Sequence, residues 1–190
     1  MRTARITIDQ SALALLQRVF RFDPWHVEAP LSARPYRSLV AALVNALRPT
    51  TVVEVGCGLG TILSLIEAPT RVGYDRDPGA IRAARFLRGR RIRFVQGDLS
   101  SVTETTVDVL ILVNWIHEIS PDELADRLLP LLPRTRYLVL DALDPDGPAG
   151  YAYKHDFAFL QGRARCRSAT RPVNEGRTFR VYEVMKWGGT

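Results

Sequence analysis

Five short, almost uninterrupted apolar segments recur along the chain, with stretches that carry helix signals between them. Near-continuous apolar strands of this kind belong in a parallel sheet that is buried on both faces. Strands alternating with helices predict an α/β, doubly wound sheet with helices on both faces. The five segments are TVVEV (51–55), RVGYD (71–75), IRFVQ (92–96), VDVLILV (107–113) and YLVLDAL (137–143).

Helix-start signals fall between these segments. Asp77 precedes Pro78, and Ser120 precedes Pro121 with Glu123 three positions after the serine. A capping side chain followed by proline at the first helical position is a standard helix start. Together with apolar periodicity, these signals predict helices over 9–21, 38–47 and 59–67, a helix that begins at 78, and a helix from 121 to about 129.

The end of the chain predicts a different kind of pairing. Two last strands, around 163–170 and 178–187, are separated by the turn sequence NEG, which predicts an antiparallel hairpin at the edge of the sheet. The expected fold is therefore a seven-stranded, mostly parallel sheet. With 190 residues we expect one domain, in which 1–49 form an N-terminal helical cap and 50–190 form the core.

The stretch VEVGCGLG places glycines at 56, 58 and 60 directly after the first strand. A glycine-rich turn between the first strand and helix of such a sheet is where nucleotides bind. The dinucleotide fingerprint G-x-G-x-x-G would need a third glycine at position 61, where the chain has Thr61, and no lysine follows to make a phosphate-binding P-loop.

Three acidic residues accompany this turn. Glu54 precedes the glycines, where a carboxylate favours a positively charged amino or sulfonium group over an anion. Asp75 ends the second strand, in position to accept hydrogen bonds from ribose hydroxyls. Asp98 follows the third strand, where it is placed either to accept from an adenine amino group or to cap the turn at Leu99. The three acids together describe a nucleoside without phosphates.

From about Thr50 to its end the chain resembles the class I S-adenosylmethionine-dependent methyltransferases, which have a Rossmann-like fold. VVEVGCGLG matches the first motif of that family, E/D-x-G-x-G-x-G, and GYDRD and QGDLS match its ribose and adenine acids. Cys57 fills the loop and is not expected to act as a nucleophile. The resemblance implies S-adenosyl-L-methionine as cofactor, bound by Glu54, Gly56, Cys57, Gly58, Gly60, Asp75, Arg76, Asp98, Leu99 and Asn114.

The segment after the fourth strand, N-W-I-H-E-I-S, is similar to the N-V-L-H-D-W-S segment of small-molecule O-methyltransferases. That resemblance implies that His117 is the base that deprotonates an acceptor hydroxyl and that Glu118 supports it. Those enzymes are much longer than this chain, and in many class I enzymes a histidine–acid pair here is only structural. His155 is a second candidate base.

Residues in the loops that fold over such a site are candidates for the acceptor pocket. Arg34 and Tyr36 are placed, by analogy, to reach the carboxylate of the cofactor. The predicted acceptor-binding residues are Trp25, His26, Trp115, Tyr153 and Asp156, and no metal site is expected.

The net charge is +6, and nearly all of the positively charged residues are arginines. Arg82, Arg85 and Arg88 share one face of a predicted helix, which fits either a nucleic-acid patch or, as we favour, a solvated helix face. The motif N-P-P-[YF] of enzymes that methylate exocyclic amines is absent after Asn114.

The expected function is methyl transfer to a small molecule, most simply to a hydroxyl oxygen, in bacterial secondary metabolism. Two cysteines, one of them inside the glycine turn, and the lack of an apolar leader favour a cytoplasmic protein, monomeric or homodimeric, that binds neither membrane nor nucleic acid. The alternatives are an N-methyltransferase or RNA methyltransferase, a non-catalytic cofactor-binding scaffold, and an enzyme of aminopropyl transfer.

Overall fold

The computed structural model of the chain describes residues 10–28, 34–144, 150–173 and 176–185. Its helices are α1 (Gln10–Phe20), α2 (Trp25–Glu28), α3 (Tyr36–Ala46), α4 (Pro78–Arg88) and α5 (Pro121–Leu128). Its strands are β1 (Thr51–Val55), β2 (Thr70–Asp75), β3 (Arg93–Gln96), β4 (Val107–Leu112), β5 (Thr135–Leu143), β6 (Ala164–Ala169) and β7 (Arg177–Val184).

All seven strands belong to one sheet, in the order β3-β2-β1-β4-β5-β7-β6. The first five pair in parallel, whereas β7 pairs antiparallel with both β5 and β6. The predicted fold class is therefore confirmed, including the antiparallel C-terminal pair. Of the predicted NEG turn, positions 174 and 175 lie outside the described residues.

Helical segments cover both faces of the sheet. One face packs against α3, α4 and a 3₁₀ turn at Leu63–Leu65. The opposite face packs against α5 and 3₁₀ turns at Leu99–Ser101, Leu129–Arg134 and Ala158–Leu160. Burial on both faces explains why the parallel strands are apolar at nearly every position.

Two helix starts have the capping side chains expected from the sequence. Oδ1 of Asp77 accepts from the amide of Gly79 at 2.7 Å, and Oγ of Ser120 accepts from the amide of Glu123 at 3.2 Å. Each cap satisfies a backbone donor that has no partner inside its helix.

The prediction of a helix over Leu59–Glu67 was wrong. Gly60 has a left-handed φ of +66°, so right-handed helical geometry begins only after it. Ile66 is already extended, with φ −92° and ψ 138°, because the chain must reach β2 at Thr70. Only the 3₁₀ turn Leu63–Leu65 fits between these limits.

The N-terminal helices belong to two different layers. α3 packs on the sheet through Val40 and Val44. By contrast, α1 packs on α4, where the rings of Phe20 and Phe86 lie 5.5 Å apart, and Leu13 joins the cluster around Leu59 of the glycine turn. The division into a cap over 1–49 and a core over 50–190, within one domain over 1–190, stays a prediction.

Candidate functional site

A cavity of about 1070 Å³ opens at the carboxyl ends of the parallel strands. The order of the strands reverses between β1 and β4, and ligands of doubly wound sheets bind at such a reversal. The lining comes from the segments after β1, β2, β3 and β4, from the C-terminal end of α4, from α1, α2 and the start of α3, and from residues 150–152.

The glycine turn is closely approached by two aromatic side chains. Gly56 and Gly58 have φ of +72° and +51°, and a Cβ on them would lie 2.2 Å from Cδ1 of Trp115 and 2.6 Å from Cε1 of His26. Nε1 of Trp115 donates to the carbonyl of Val55 at 2.7 Å. The absence of side chains therefore admits rings of the protein itself, and both rings line the cavity.

Asp75 holds the turn and faces the cavity. Its Oδ2 accepts from the amide of Gly58 at 2.7 Å, and its Oδ1 accepts from the amide of Asp77 at 2.9 Å. A carboxylate oxygen can accept more than one hydrogen bond. The carboxylate can thus fix the loop and still accept from a ligand hydroxyl.

Glu54 is a buried carboxylate with an orphaned oxygen. Its side chain lines the cavity but is only 4% exposed, and Oε2 has no hydrogen-bond partner among the described residues. Burial raises the pKa of Glu54 to about 8, an effect that the positive charge of Arg37 partly opposes. An unpaired buried carboxylate is unfavourable unless a cation or donor enters the cavity beside it.

The Asp98 carboxylate is already surrounded by donors. Its Oδ1 caps the 3₁₀ turn at the amide of Ser100, and its Oδ2 lies 3.2 Å from both Arg76 and Arg127. Hydrogen bonds from Ser100 and the charge of Arg76 lower the pKa of Asp98 to about 2 despite some burial. The capping role is confirmed, whereas the role at the adenine stays a prediction.

Gly60 and Leu99, both predicted to bind cofactor, do not line the cavity. The case of Leu99 has a clear physical reason. Its side chain is fully buried in the core beneath the sheet and is not part of the cavity lining. An apolar side chain at this position completes the hydrophobic layer.

The segment after β4 is fixed by two buried charged residues that the sequence analysis missed. The amide of Asn114 donates to the carboxylate of Asp141 at 3.1 Å, and Arg177 donates to Oδ1 of Asn114 at 3.1 Å. Arg177 also forms an ion pair with Asp141. Burial raises the pKa of Asp141, but the neighbouring ring of His117 and the charge of Arg177 outweigh that effect and lower it.

His117, the predicted base, is fully buried. Its Nδ1 lies 3.1 Å from the carbonyl of Tyr153, which is an acceptor only, so a hydrogen bond between them needs a proton on Nδ1. Its Nε2 lies 3.2 Å from Oδ1 of Asp141, without the alignment of a hydrogen bond. Because both nitrogens face the protein, the geometry favours a positioning role, and the base role stays a prediction.

Three residues predicted for the acceptor side, namely Tyr153, His155 and Asp156, do not line the cavity. His155 is buried, with Nε2 2.8 Å from the carbonyl of Ile116, and burial lowers its pKa. Asp156 is an exposed residue whose Oδ1 accepts from the amide of Ala158 at 2.9 Å. Tyr153 is 41% exposed and contributes its backbone to His117. These residues shape the segment 151–157 instead of lining the cavity.

Other predicted residues do line the cavity. Burial lowers the pKa of His26, although neighbouring acids such as Asp75 oppose this. Arg34 does not line the cavity, because it lies over the Trp25 ring at 3.5 Å and donates to the Trp25 carbonyl. The predicted residues in the lining are Trp25, His26, Tyr36, Glu54, Gly56, Cys57, Gly58, Asp75, Arg76, Asp98, Asn114, Trp115, His117 and Glu118, whereas Arg37, Thr61, Ile62 and Tyr151 were missed.

The three arginines on α4 donate to backbone carbonyls. Arg82 binds the carbonyl of Phe20 at 2.9 Å, Arg85 that of Phe94 at 2.7 Å, and Arg88 that of Leu59 at 3.2 Å. The arginine face therefore ties α4 to α1, β3 and the glycine turn.

A family profile described as a methyltransferase domain matches residues 53–132, which contain the glycine turn and all three acids. Together with the strand order and the lined cavity, this match supports the family that the sequence resembles. Residues 53–132 carry a methyltransferase domain, and the sheet has the Rossmann-like fold of the class I S-adenosylmethionine-dependent methyltransferases. The cofactor that this family match supports is S-adenosyl-L-methionine. No curated protein matches the chain in sequence.

Solved structures share the fold at low sequence identity. The PH0226 protein of Pyrococcus horikoshii OT3 has a TM-score of 0.67 at 15% identity, over 88% of this chain and 99% of its own. The magnesium protoporphyrin IX methyltransferase ChlM of Synechocystis with bound SAM has 0.64 at 15%, over 95% and 98%. The mitomycin 7-O-methyltransferase MmcR has 0.68 at 16%, over 90% of this chain but only 60% of its own.

Two acidic residues of the cavity have the chemistry needed to bind S-adenosylmethionine. The orphaned Oε2 of Glu54 suits the ammonium of the methionine part, and Asp75 suits the ribose. Among the described residues, no group of three or more His, Cys, Asp or Glu side chains is arranged to hold a metal ion. None of the described helices has the length and apolar character needed to cross a membrane.

The substitution Glu54→Gln is expected to flatten the pH dependence of the free energy of unfolding. The folded protein holds the Glu54 proton up to a pKa of about 8, whereas the unfolded chain releases it near 4.5. This stabilisation is fully present below the lower value and is lost as the pH rises through the upper one, by at most about 1.4 kcal/mol per pH unit. Denaturant unfolding of both proteins across that range measures it, and equal slopes would contradict the assignment.

Proposed function

We propose that this methyltransferase transfers the methyl group to a hydroxyl oxygen of a small molecule. The observation that carries the proposal is the covered, aromatic end of the cavity. Trp25, Tyr36, Trp115 and Tyr151 line it, and α1 and α2 lie over the glycine turn. Small-molecule sites are concave, largely apolar and contain few polar groups. A covered cavity with aromatic walls suits a small, flat acceptor better than a macromolecule.

The printed names of two structural neighbours support a small-molecule acceptor. MmcR is named as a mitomycin 7-O-methyltransferase, and PhzM is named as a pyocyanin biosynthetic protein and has a TM-score of 0.58 at 18% identity. The chain spans 60% and 56% of their lengths. The name of MmcR supports an oxygen acceptor for this chain, and the name of PhzM supports a biosynthetic role.

Each cavity wall has a proposed task. Glu54 and Arg37 receive the ammonium and carboxylate of the cofactor, Asp75 receives its ribose hydroxyls, and the segment at Asp98 receives its adenine. When bound, S-adenosylmethionine supplies a methyl group that the acceptor displaces in line. The protein then mainly has to align the acceptor and exclude water.

The acceptor proton needs a route that does not depend on His117. Both nitrogens of His117 face the protein. Glu118 lines the cavity, is exposed, and has no hydrogen-bond or ion-pair partner among the described residues. A hydroxyl acidic enough to ionise near neutral pH, such as a phenol, needs little help from a base, so Glu118 or water suffices as the proton acceptor.

RNA is a weaker acceptor candidate. The arginines that would form its binding face on α4 are bonded to carbonyls of the chain itself. A nucleic-acid surface needs those donors free for phosphates.

We expect purified protein to transfer radiolabelled methyl from S-adenosylmethionine to members of a panel of substituted phenols and catechols. The same assay includes the matching anilines and total RNA. Transfer only to RNA, or only to anilines, would contradict the proposal.

The substitution Asp75→Ala is expected to weaken binding of S-adenosylhomocysteine by roughly 10-fold or more, since an acceptor for the ribose hydroxyls is lost.

The substitution His117→Gln tests the two roles of the histidine. If His117 positions the segment, kcat falls while the pKa values in the pH–rate profile stay unchanged, because no titrating nitrogen faces the acceptor. A base would instead lose about 10²–10⁴ in rate and its ionisation would vanish from the profile. Binding of S-adenosylhomocysteine shows that the variant is folded, and loss of that ionisation would restore His117 as the base.

A further inference from the structure

Asn114 has a backbone conformation that is rare for a residue with a side chain. Its φ of +79° and ψ of −69° are those of the strained form of the γ-turn. The bond that closes such a turn is present, since the amide of Trp115 donates to the carbonyl of Val113 at 3.1 Å. Strain of this kind persists only where surrounding contacts enforce it, and it concentrates at functional sites.

Two buried charged residues enforce the turn. The carboxylate of Asp141 accepts from the amide of Asn114 at 3.1 Å. The guanidinium of Arg177 is 5% exposed, pairs with that carboxylate, and donates to Oδ1 of Asn114 at 3.1 Å. The rings of Tyr36 and Tyr151 lie 4.8 Å and 5.9 Å from this guanidinium.

The guanidinium determines which way the Asn114 amide faces. Arginine has only donors, so the side-chain atom of Asn114 that meets Arg177 must be the oxygen. The other amide atom, Nδ2, then presents two N–H donors, which have no partner among the described residues. Asn114 is half-buried in the cavity lining, so those donors are available to a ligand.

We infer that Arg177 and Asp141 are positioning residues that turn Asn114 into a hydrogen-bond donor toward the acceptor atom. Such a donor selects an oxygen, which attacks with one lone pair and accepts from Nδ2 with another. A primary amine attacks with its single lone pair and has only N–H groups left to offer a donor. The site therefore discriminates against amines by the orientation of one amide.

The inferred role deepens the proposed function and rests on it. As the new oxygen–carbon bond forms and the carbon–sulfur bond breaks, the electron pair goes to sulfur, and the hydroxyl proton goes to Glu118 or water. A hydrogen bond from Nδ2 to the ionised oxygen stabilises that form. The donor thus lowers the pKa of the bound hydroxyl and reduces the need for a base.

The probes are 4-nitrophenol and 4-nitroaniline, which have the same shape and differ in the acceptor atom. Each is titrated into protein saturated with S-adenosylhomocysteine, and the absorbance of bound 4-nitrophenol is followed against pH. The variants are Arg177→Met, Asn114→Asp, and Arg180→Met as the matched control. Arg180 lies on the same strand, and its guanidinium donates a hydrogen bond to the hydroxyl of Tyr182 and to no other described side chain.

We expect wild type and Arg180→Met to bind the phenolate about 10-fold more tightly than the aniline, a typical effect of one hydrogen bond to a charged group. They are also expected to lower the pKa of bound 4-nitrophenol. Both effects should be lost in Arg177→Met and reversed in Asn114→Asp, which accepts where Asn114 donates. Equal affinities in wild type, binding of neither probe, or unchanged selectivity in Arg177→Met would overturn the inference.

Titration with S-adenosylhomocysteine separates this result from failure of the proposed function. Wild-type protein that binds S-adenosylhomocysteine but shows no selectivity between the probes contradicts only the role of Arg177 and Asn114. Protein that binds no S-adenosylhomocysteine contradicts the cofactor site itself. A variant that keeps wild-type affinity for S-adenosylhomocysteine is folded, so its altered selectivity is not a loss of structure.

Discussion

A buried carboxylate, Asp141, connects most of the acceptor side of this site. It lies on β5, fully buried, and contacts the guanidinium of Arg177, the amide of Asn114 and the ring of His117. A buried charge is costly unless it is paired and hydrogen-bonded. Removing any one of these partners therefore leaves the other buried groups without a charge or hydrogen-bond partner. The antiparallel pairing of β7 with β5 supplies Arg177, which explains why the C-terminal strands matter to the site as well as to the sheet.

The cofactor side follows a different electrostatic principle. There the side chain of Glu54 lines the cavity, and its Oε2 has no hydrogen-bond partner among the described residues. Burial of this carboxylate raises its pKa. On the acceptor side the buried charges of Asp141 and Arg177 pair with each other, whereas on the cofactor side the carboxylate of Glu54 is left to be paired by a cation. Hydrogen-bond donors lie near the acceptor, and an unpaired carboxylate lies near the cofactor. Both suit a reaction in which an oxygen attacks and the positive charge of the sulfonium is neutralised.

The sequence predicted the parts of this structure that depend on local pattern. Strands, helix caps and the acids at the strand ends follow from apolar runs and from residues within a few positions of each other. The helix over Leu59–Glu67 failed because three left-handed glycines delayed its start. The Asp141–Arg177 pair was missed because its members are brought together by strand pairing, although an aspartate inside the apolar strand YLVLDAL was a visible signal. Burial of His117 was equally a product of tertiary packing.

Calorimetric titration with S-adenosylhomocysteine in two buffers of different ionisation enthalpy tests most directly that this pocket holds the cofactor with its ammonium on Glu54. The carboxyl group is mostly protonated near pH 7, because its pKa is about 8, and must ionise to pair with an ammonium. We expect binding to release nearly one proton, and Glu54→Gln to abolish that release. Absence of binding, or binding with the same heat in both buffers, would contradict the placement of the cofactor.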